Sequence, residues 1–315
     1  MASLTPKAGD AKSIGMASQL LSCLAYSLCS ITMVLSNKAL AAVFHVDIPV
    51  LLVVMQCSFA VLLVEASRIM GIVSYQPFQS SVALRWLPVN LCFVVMLMTS
   101  FRSFKFLNVP IITVFKNLTN ILIVAGDWYW HGQRITLGII AAFGVMVVGA
   151  VFAAKNDVLF SFEGYCWMLG NCLSTASYVL YMKTATKSVD ISKFGMVFYN
   201  NLLSVPLLLP LAFGLGEVDT ALANLDIITS LNFLFVNIVA GSMGFFLNLA
   251  SLWCVSATSA TTYALVGSVN KIPVALLGAF LFDAAISSQG AIYIGVSMCG
   301  GFIYSYVKLT ESPRK

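Results

Sequence analysis

The sequence predicts an all-α integral membrane protein in which ten transmembrane helices form two inverted repeats of five helices. Composition is the first reason, because 60% of the 315 residues are hydrophobic and only 9% are charged. A soluble protein carries about a quarter of its residues as charged side chains. The second reason is a series of apolar runs long enough to cross a bilayer. The third is a resemblance between the two halves of the chain.

Windows of about 20 apolar residues can be placed ten times, and their backbone groups must be paired within helices because lipid offers no partners. The predicted spans are 15–36, 48–70, 86–104, 109–129, 135–154, 163–184, 194–215, 228–254, 259–282 and 288–308. Short connections leave no room for a soluble domain. The chain divides into an N-terminal tail (1–14), a first repeat (15–157), a second repeat (158–308) and a C-terminal tail (309–315).

Lysine and arginine collect on one side of the predicted membrane, which the positive-inside rule assigns to the cytosol. With a cytosolic N-terminus, this side holds Lys7, Lys12, Arg68, Arg85, Arg134, Lys183, Lys187, Lys193, Lys308, Arg314 and Lys315. The opposite side keeps Lys38, Arg102, Lys105 and Lys155. Both termini are therefore predicted to be cytosolic. The net charge of +5 is explained by this bias, and no nucleic-acid partner is expected.

The two halves repeat the same polar positions inside otherwise apolar spans. Span 4 carries Lys116 and ends near Asp127, whereas span 9 carries Lys271 and ends near Asp283. An odd number of helices in each repeat inserts the second copy upside down, as in many carriers that build two gates around one central site. The glycines of spans 5 and 10 predict close helix packing; they are Gly138, Gly144, Gly149, Gly290, Gly295 and Gly300.

Lys271 and Lys116 are the strongest candidates for a ligand site. A lysine near the middle of a spanning helix costs roughly 2.5–3.5 kcal/mol on insertion scales, so it normally faces a cavity or a counter-charge. Few acids are available in these spans, and a ligand with phosphate groups would supply the missing negative charge. Pro273 also frees the carbonyl of Val269 one turn earlier. The alternative is a lysine that snorkels to the interface, which fits Lys116 better than the deeper Lys271.

Span 7 contains a second candidate group, Phe198-Tyr199-Asn200-Asn201. Amides offer paired donors and acceptors that match the edge of a purine, but they also serve as clamps between helices, and both interpretations stay open. Further polar or aromatic groups that can line a cavity are Tyr26, Asn248 and Tyr263.

Three segments, VPIITVFKNLT, VFYNN and TTYALVGSVNKIP, resemble the motifs of Golgi GDP-mannose transporters, within the drug/metabolite transporter superfamily of ten-helix carriers. The similarity runs over nearly the whole chain. It implies guanine recognition by Asn200 and Asn201 beside Tyr199. It also implies a shared cavity for the sugar and phosphates, lined by Tyr26, Lys116, Tyr263, Gly267, Asn270 and Lys271. Ser268 and Asn248 depart from the fungal pattern, which leaves the sugar open.

The resemblance implies an antiporter that moves GDP-mannose from the cytosol into the Golgi lumen in exchange for GMP. Two cavity lysines without matching acids favour such exchange, because a closed empty carrier would bury uncompensated charge. Alternatives are another GDP-sugar such as GDP-fucose, a different sugar nucleotide or a sugar phosphate, and a sensor with an inactive cavity. No enzyme, cofactor or metal is expected, since no nucleophile–base pair or acid pair lies within the spans. The expected partners are substrate and membrane lipid, with a homodimer left open.

Overall fold

The structure, a computed structural model, describes residues 8–258, 260–282 and 285–310. The helices are α1 Ala8–Ala42, α2 Pro49–Ile69, α3 Ser80–Phe106, α4 Val109–His131, α5 Leu137–Lys155, α6 Phe162–Ala185, α7 Lys193–Gly214, α8 Glu217–Ala223, α9 Leu225–Ile228, α10 Leu231–Ala257, α11 Ala260–Val269, α12 Lys271–Leu281 and α13 Ser288–Thr310. Lys7, Asp283, Arg314 and Lys315 lie outside the described residues.

Each of the ten predicted spans falls on a helix, and span 9 falls on the pair α11 and α12. In the described part of the chain, eight helices are long and apolar enough to cross a membrane: α1, α2, α3, α4, α5, α7, α10 and α13. Helix α6 carries several polar residues, including Asn171 and Ser174, and the α11–α12 pair is interrupted, so neither belongs to that set. The protein is an all-α membrane protein, and the count of ten crossings stays a prediction.

Helix boundaries follow local chemistry. Asn108 accepts the backbone N–H of Ile111 at 3.0 Å and thereby caps the start of α4, where Pro110 needs no hydrogen bond. Only Leu107 and Asn108 separate α3 from α4. Helix α3 starts at Ser80, six residues before the predicted span, because the helix continues past the apolar stretch through polar residues such as Arg85. The break between α11 and α12 falls at Asn270, next to the carbonyl that Pro273 leaves without its usual donor.

Helix pairing relates the two halves of the bundle. Helix α1 packs on α10 and α3 packs on α6, while α2 packs on α7 and α5 packs on α13. Each helix of the first half has a counterpart five spans later in the second half. Exchanging every helix with its counterpart converts the α1–α10 pair into the α6–α3 pair, and it leaves the α2–α7 and α5–α13 pairs unchanged. This pattern supports two related halves, and their inverted orientation stays a prediction.

The α5–α13 contact brings backbones together. A Cβ atom on Gly149 would stand 2.4 Å from the Ser297 nitrogen, and one on Gly300 would stand 2.7 Å from the Met146 nitrogen. Both glycines therefore have the predicted packing role. Gly144 and Gly295 do not, because nothing lies within 4 Å of a Cβ atom built on either of them.

Candidate functional site

Lys271 is the first residue of α12, and its side chain points into the bundle. Its Nζ donates a hydrogen bond to Oδ1 of Asn117 on α4, at 2.5 Å. Asn117 is fully buried and donates through Nδ2 to the carbonyl of Ser297 at 3.4 Å. The ammonium group of Lys271 is thus held by a neutral amide rather than by a lipid headgroup.

Lys116 precedes Asn117 on α4 and belongs to the same charged region. Its Nζ lies 5.7 Å from the ring centroid of Phe104, in cation–π range. Lys271 bonds to Asn117, the residue that follows Lys116, so the two lysines belong to the same region of the bundle and their like charges repel. Among the described residues, no carboxylate forms an ion pair with either lysine. The two ammonium groups therefore form a cationic pair inside the bundle, which suits a ligand with negative charge.

Asn270 places an unused donor beside this cationic pair. It is only 5% exposed, and its Nδ2 group has no hydrogen-bond partner within the described ranges. A buried donor without a partner costs about 1–3 kcal/mol. A hydroxyl or phosphate oxygen of a ligand would satisfy it.

Two tyrosines close the space next to α11. The rings of Tyr26 on α1 and Tyr263 on α11 lie with centroids 4.7 Å apart. Gly267 faces the same spot, since a Cβ atom there would stand 3.1 Å from the Tyr26 hydroxyl. Ser268 hydrogen-bonds to Ser305 on α13. The structure therefore groups Tyr26, Tyr263 and Gly267 but turns the Ser268 hydroxyl toward another helix.

The amide of Asn200 on α7 contacts two neighbouring helices. Oδ1 of Asn200 accepts the indole N–H of Trp86, and its Nδ2 donates to the hydroxyl of Tyr178, both at 2.8 Å. Both ends of this amide are occupied by helices α3 and α6, so Asn200 is the interhelical clamp that the sequence allowed as an alternative. A guanine can bind this amide only after these bonds open.

The neighbours of Asn200 have partners of their own. Tyr199 is buried, and its hydroxyl accepts the backbone N–H of Gln79 at 2.8 Å. It lines a cavity of about 380 Å³ at the face where α2 ends and α3 begins. Asn201 is half-buried and donates to the Val197 carbonyl of its own helix. Asn248 does the same with Gly244 on α10. No hydrogen bond in the described residues joins this group to Lys271 or Asn117.

Two buried polar side chains are not among the predicted site residues. The first is Asn117, whose mid-span amide next to Lys116 was a signal for a polar partner. The second is Lys38, which is predicted only to lie on the non-cytosolic side just after span 1, and which the structure leaves only 6% exposed. No set of three or more His, Cys, Asp or Glu side chains suited to a metal ion occurs in the described part of the chain.

Comparison with known proteins agrees with the motifs. The Triose-phosphate Transporter family matches residues 17–305. A GDP-mannose transporter of Aspergillus oryzae is 34% identical and aligns over 92% of this chain and 81% of its own length. A GDP-mannose transporter of Coccidioides immitis is 32% identical, over 94% and 82%. One solved crystal structure superposes with a TM-score of 0.52 at 15% identity, over 94% of this chain and 99% of that chain, which shows the fold alone.

Proposed function

The chain belongs to the Triose-phosphate Transporter family, among relatives named GDP-mannose transporters, and from this premise we propose that it carries GDP-mannose across the Golgi membrane in exchange for GMP. Transport runs by alternating access between two related halves, with both termini in the cytosol. The observation that carries the proposal is the cationic pair, Lys116 and Lys271, which has no carboxylate partner among the described residues.

The diphosphate of a nucleotide sugar fits this cationic pair. Charge-assisted bonds between ammonium groups and phosphate oxygens are roughly twice as strong as neutral ones. A bound phosphate would also replace Asn117, which offers Lys271 only an amide oxygen. Asn270 adds a donor for an oxygen of the phosphate or the sugar, while Gly267 lets the Tyr26 hydroxyl lie against the backbone of α11, next to Tyr263.

Exchange rather than free flow follows from charge balance. When the site is empty, closing the bundle keeps two ammonium groups away from water, and burying such charge is unfavourable. A bound GDP-sugar or GMP compensates them, so the loaded carrier changes state more readily than the empty one. The guanosine monophosphate part that GDP-sugars and GMP share sits with its guanine near Tyr199, Asn200 and Asn201. The amide of Asn200 is released from Trp86 and Tyr178 as the cavity opens. Asn248 and Ser268 line the remaining wall.

A second GDP-sugar is the alternative substrate. Ser268 bonds to Ser305 instead of presenting its hydroxyl to the space beside Tyr26, so nothing at this position demands mannose. GDP-fucose fits the same cationic pair, as does a sugar phosphate or another sugar nucleotide if guanine is not recognised.

The test is a competition panel on the purified protein in proteoliposomes loaded with GMP. Labelled GDP-mannose is expected to enter rapidly, and unlabelled GMP outside should compete whereas UMP should not. Vesicles without internal nucleotide should take up little label. Rapid uptake into empty vesicles contradicts obligate exchange. Equal competition by UMP contradicts guanine recognition, and binding without flux contradicts transport.

A further inference from the structure

Lys38 is a buried lysine on α1 that the proposed site does not include. Its Nζ donates to the backbone carbonyls of Phe104, at 2.5 Å, and Leu107, at 2.7 Å, at the end of α3. Within the described ranges, no carboxylate pairs with it. It is more buried than most lysines, which are rarely buried fully unless they are paired.

Capping of α3 explains only part of this arrangement. A cation at a helix C-terminus stabilises the helix by about 0.3–1 kcal/mol through the macrodipole. The same effect is available from a lysine at the surface, without the cost of removing an ammonium group from water. The position of Lys38 relative to the other lysines gives a further reason for its burial.

Phe104 connects Lys38 to the cationic pair. Its carbonyl accepts from Lys38, while its ring lies under the ammonium group of Lys116. Lys116 in turn precedes Asn117, the residue that accepts the hydrogen bond of Lys271. The three lysines therefore form a continuous series through the bundle.

The series is graded in depth. Lys38 lies four residues before the end of α1, Lys116 seven residues after the start of α4, and Lys271 ten residues before the end of α12. At 1.5 Å per residue these positions are about 6, 10 and 15 Å from the same face of the bundle. We call this face, at which α1 and α3 end and α4 begins, the α1-end face.

We propose that Lys38 is an additional phosphate-binding site, which a nucleotide contacts as it enters or leaves through the α1-end face. The inference rests on the proposed function, because it requires an anionic substrate. Opening this face separates α1 from the α3–α4 connection and breaks both bonds of Lys38. The released ammonium group then lacks a partner at the mouth of the passage, and a phosphate provides one. Lys116 is the next cation inward, so the phosphate moves between neighbouring charges.

The experiment measures the KM for GMP separately at each face, in proteoliposomes sorted by orientation with an antibody against a C-terminal tag. For Lys38→Met, the KM at the α1-end face should rise about tenfold, while the KM at the opposite face should change by less than about twofold. A tenfold change corresponds to 1.4 kcal/mol, about one charge-assisted contact. Lys38→Arg should stay near the wild type. Lys155→Met removes an exposed lysine at the same face and should have no effect on either KM.

The result separates the possible roles of Lys38. Equal KM changes at both faces, or a lower melting temperature with both KM values unchanged, would overturn the assignment and leave Lys38 as a helix cap. Should Lys38→Met fail to fold, Lys38→Gln gives the same comparison with a smaller loss of polarity. Failure of the wild-type protein to exchange any nucleotide contradicts the proposed function itself, whereas a symmetric effect in an active carrier contradicts only the role of Lys38.

Discussion

Lys271 and Asn117 form a hydrogen bond of 2.5 Å between α12 and α4, which lie in different halves of the chain. The acceptor is neutral, so the ammonium charge is oriented but not compensated. Full compensation requires a negative charge at the position of the Asn117 oxygen. The uncompensated charge of Lys271 therefore affects how readily the empty carrier changes state.

Asn117→Asp should convert exchange into leak. The carboxylate supplies the missing charge for Lys271, so the empty carrier closes without a substrate, at the loss of only one long bond to Ser297. Uptake of GDP-mannose into nucleotide-free vesicles should rise about tenfold over the wild type, which is 1.4 kcal/mol. Asn120→Asp, which adds the same charge one turn along α4, is the control. Unchanged leak in Asn117→Asp would argue against charge compensation.

Lys271→Ala should abolish transport, because it removes a cation that the proposal assigns to the phosphates. We expect the loss of exchange to exceed about tenfold, given about 1.5–3 kcal/mol for a hydrogen bond to a charged group. Lys155→Ala, at an exposed lysine, should transport normally. Initial rates of GMP–GDP-mannose exchange provide the measurement, and a normal rate for Lys271→Ala removes this residue from the site.

Asn200→Ala should lower the stability of the fold, whereas Asn201→Ala should change nucleotide selectivity. The first leaves the indole of Trp86 and the hydroxyl of Tyr178 without their partner, and each unsatisfied buried group costs about 1–3 kcal/mol. The second removes one bond within α7. A lower melting temperature is expected for Asn200→Ala, and weaker discrimination of GMP over UMP for Asn201→Ala. Equal melting temperatures would show that the clamp adds no stability.

Glu217→Gln tests a buried acid outside the spanning helices. Glu217 is only 4% exposed and accepts the N–H of Leu51 at the start of α2. Burial raises its pKa, although the backbone donors act in the opposite direction. An acid with a raised pKa stabilises the fold at low pH, and this contribution is lost as the pH rises above its usual pKa of about 4.3. The melting temperature of Glu217→Gln relative to wild type should therefore increase from pH 4.5 to pH 7.5, by about a few degrees. A constant difference would contradict the raised pKa.

Gly149→Ala should weaken the α5–α13 contact, since the new methyl group would meet the backbone of Ser297. Overpacking of this kind typically costs about 1–3 kcal/mol. Gly144→Ala adds the same methyl group to the same helix where nothing lies within 4 Å, so it should be neutral or slightly stabilising. The comparison of the two melting temperatures checks the packing, and equal values would contradict it.

The sequence predicted the helices well because apolar runs of spanning length have few alternatives, and the family resemblance is confirmed by the matched family and relatives. It also predicted that Lys271 faces the interior of the bundle, since a charge so far from both ends of a span is costly anywhere else. The partner of Lys271 could not be predicted, because it depends on how α12 and α4 meet. The same limit applies to Asn200, whose amide matches a purine or a clamp equally well until Trp86 and Tyr178 are placed. The burial of Lys38 could not be predicted either, because distance from a span end measures depth but not lateral burial.

The two-residue connection between α3 and α4 has a consequence for any passage at the α1-end face. Leu107 and Asn108 are too short a tether for the two helices to part there. The gap must therefore open between this hairpin and α1, with Lys116 on one wall and Lys38 on the other. A channel flanked by cations on both sides would admit anions and repel cations before any specific recognition begins.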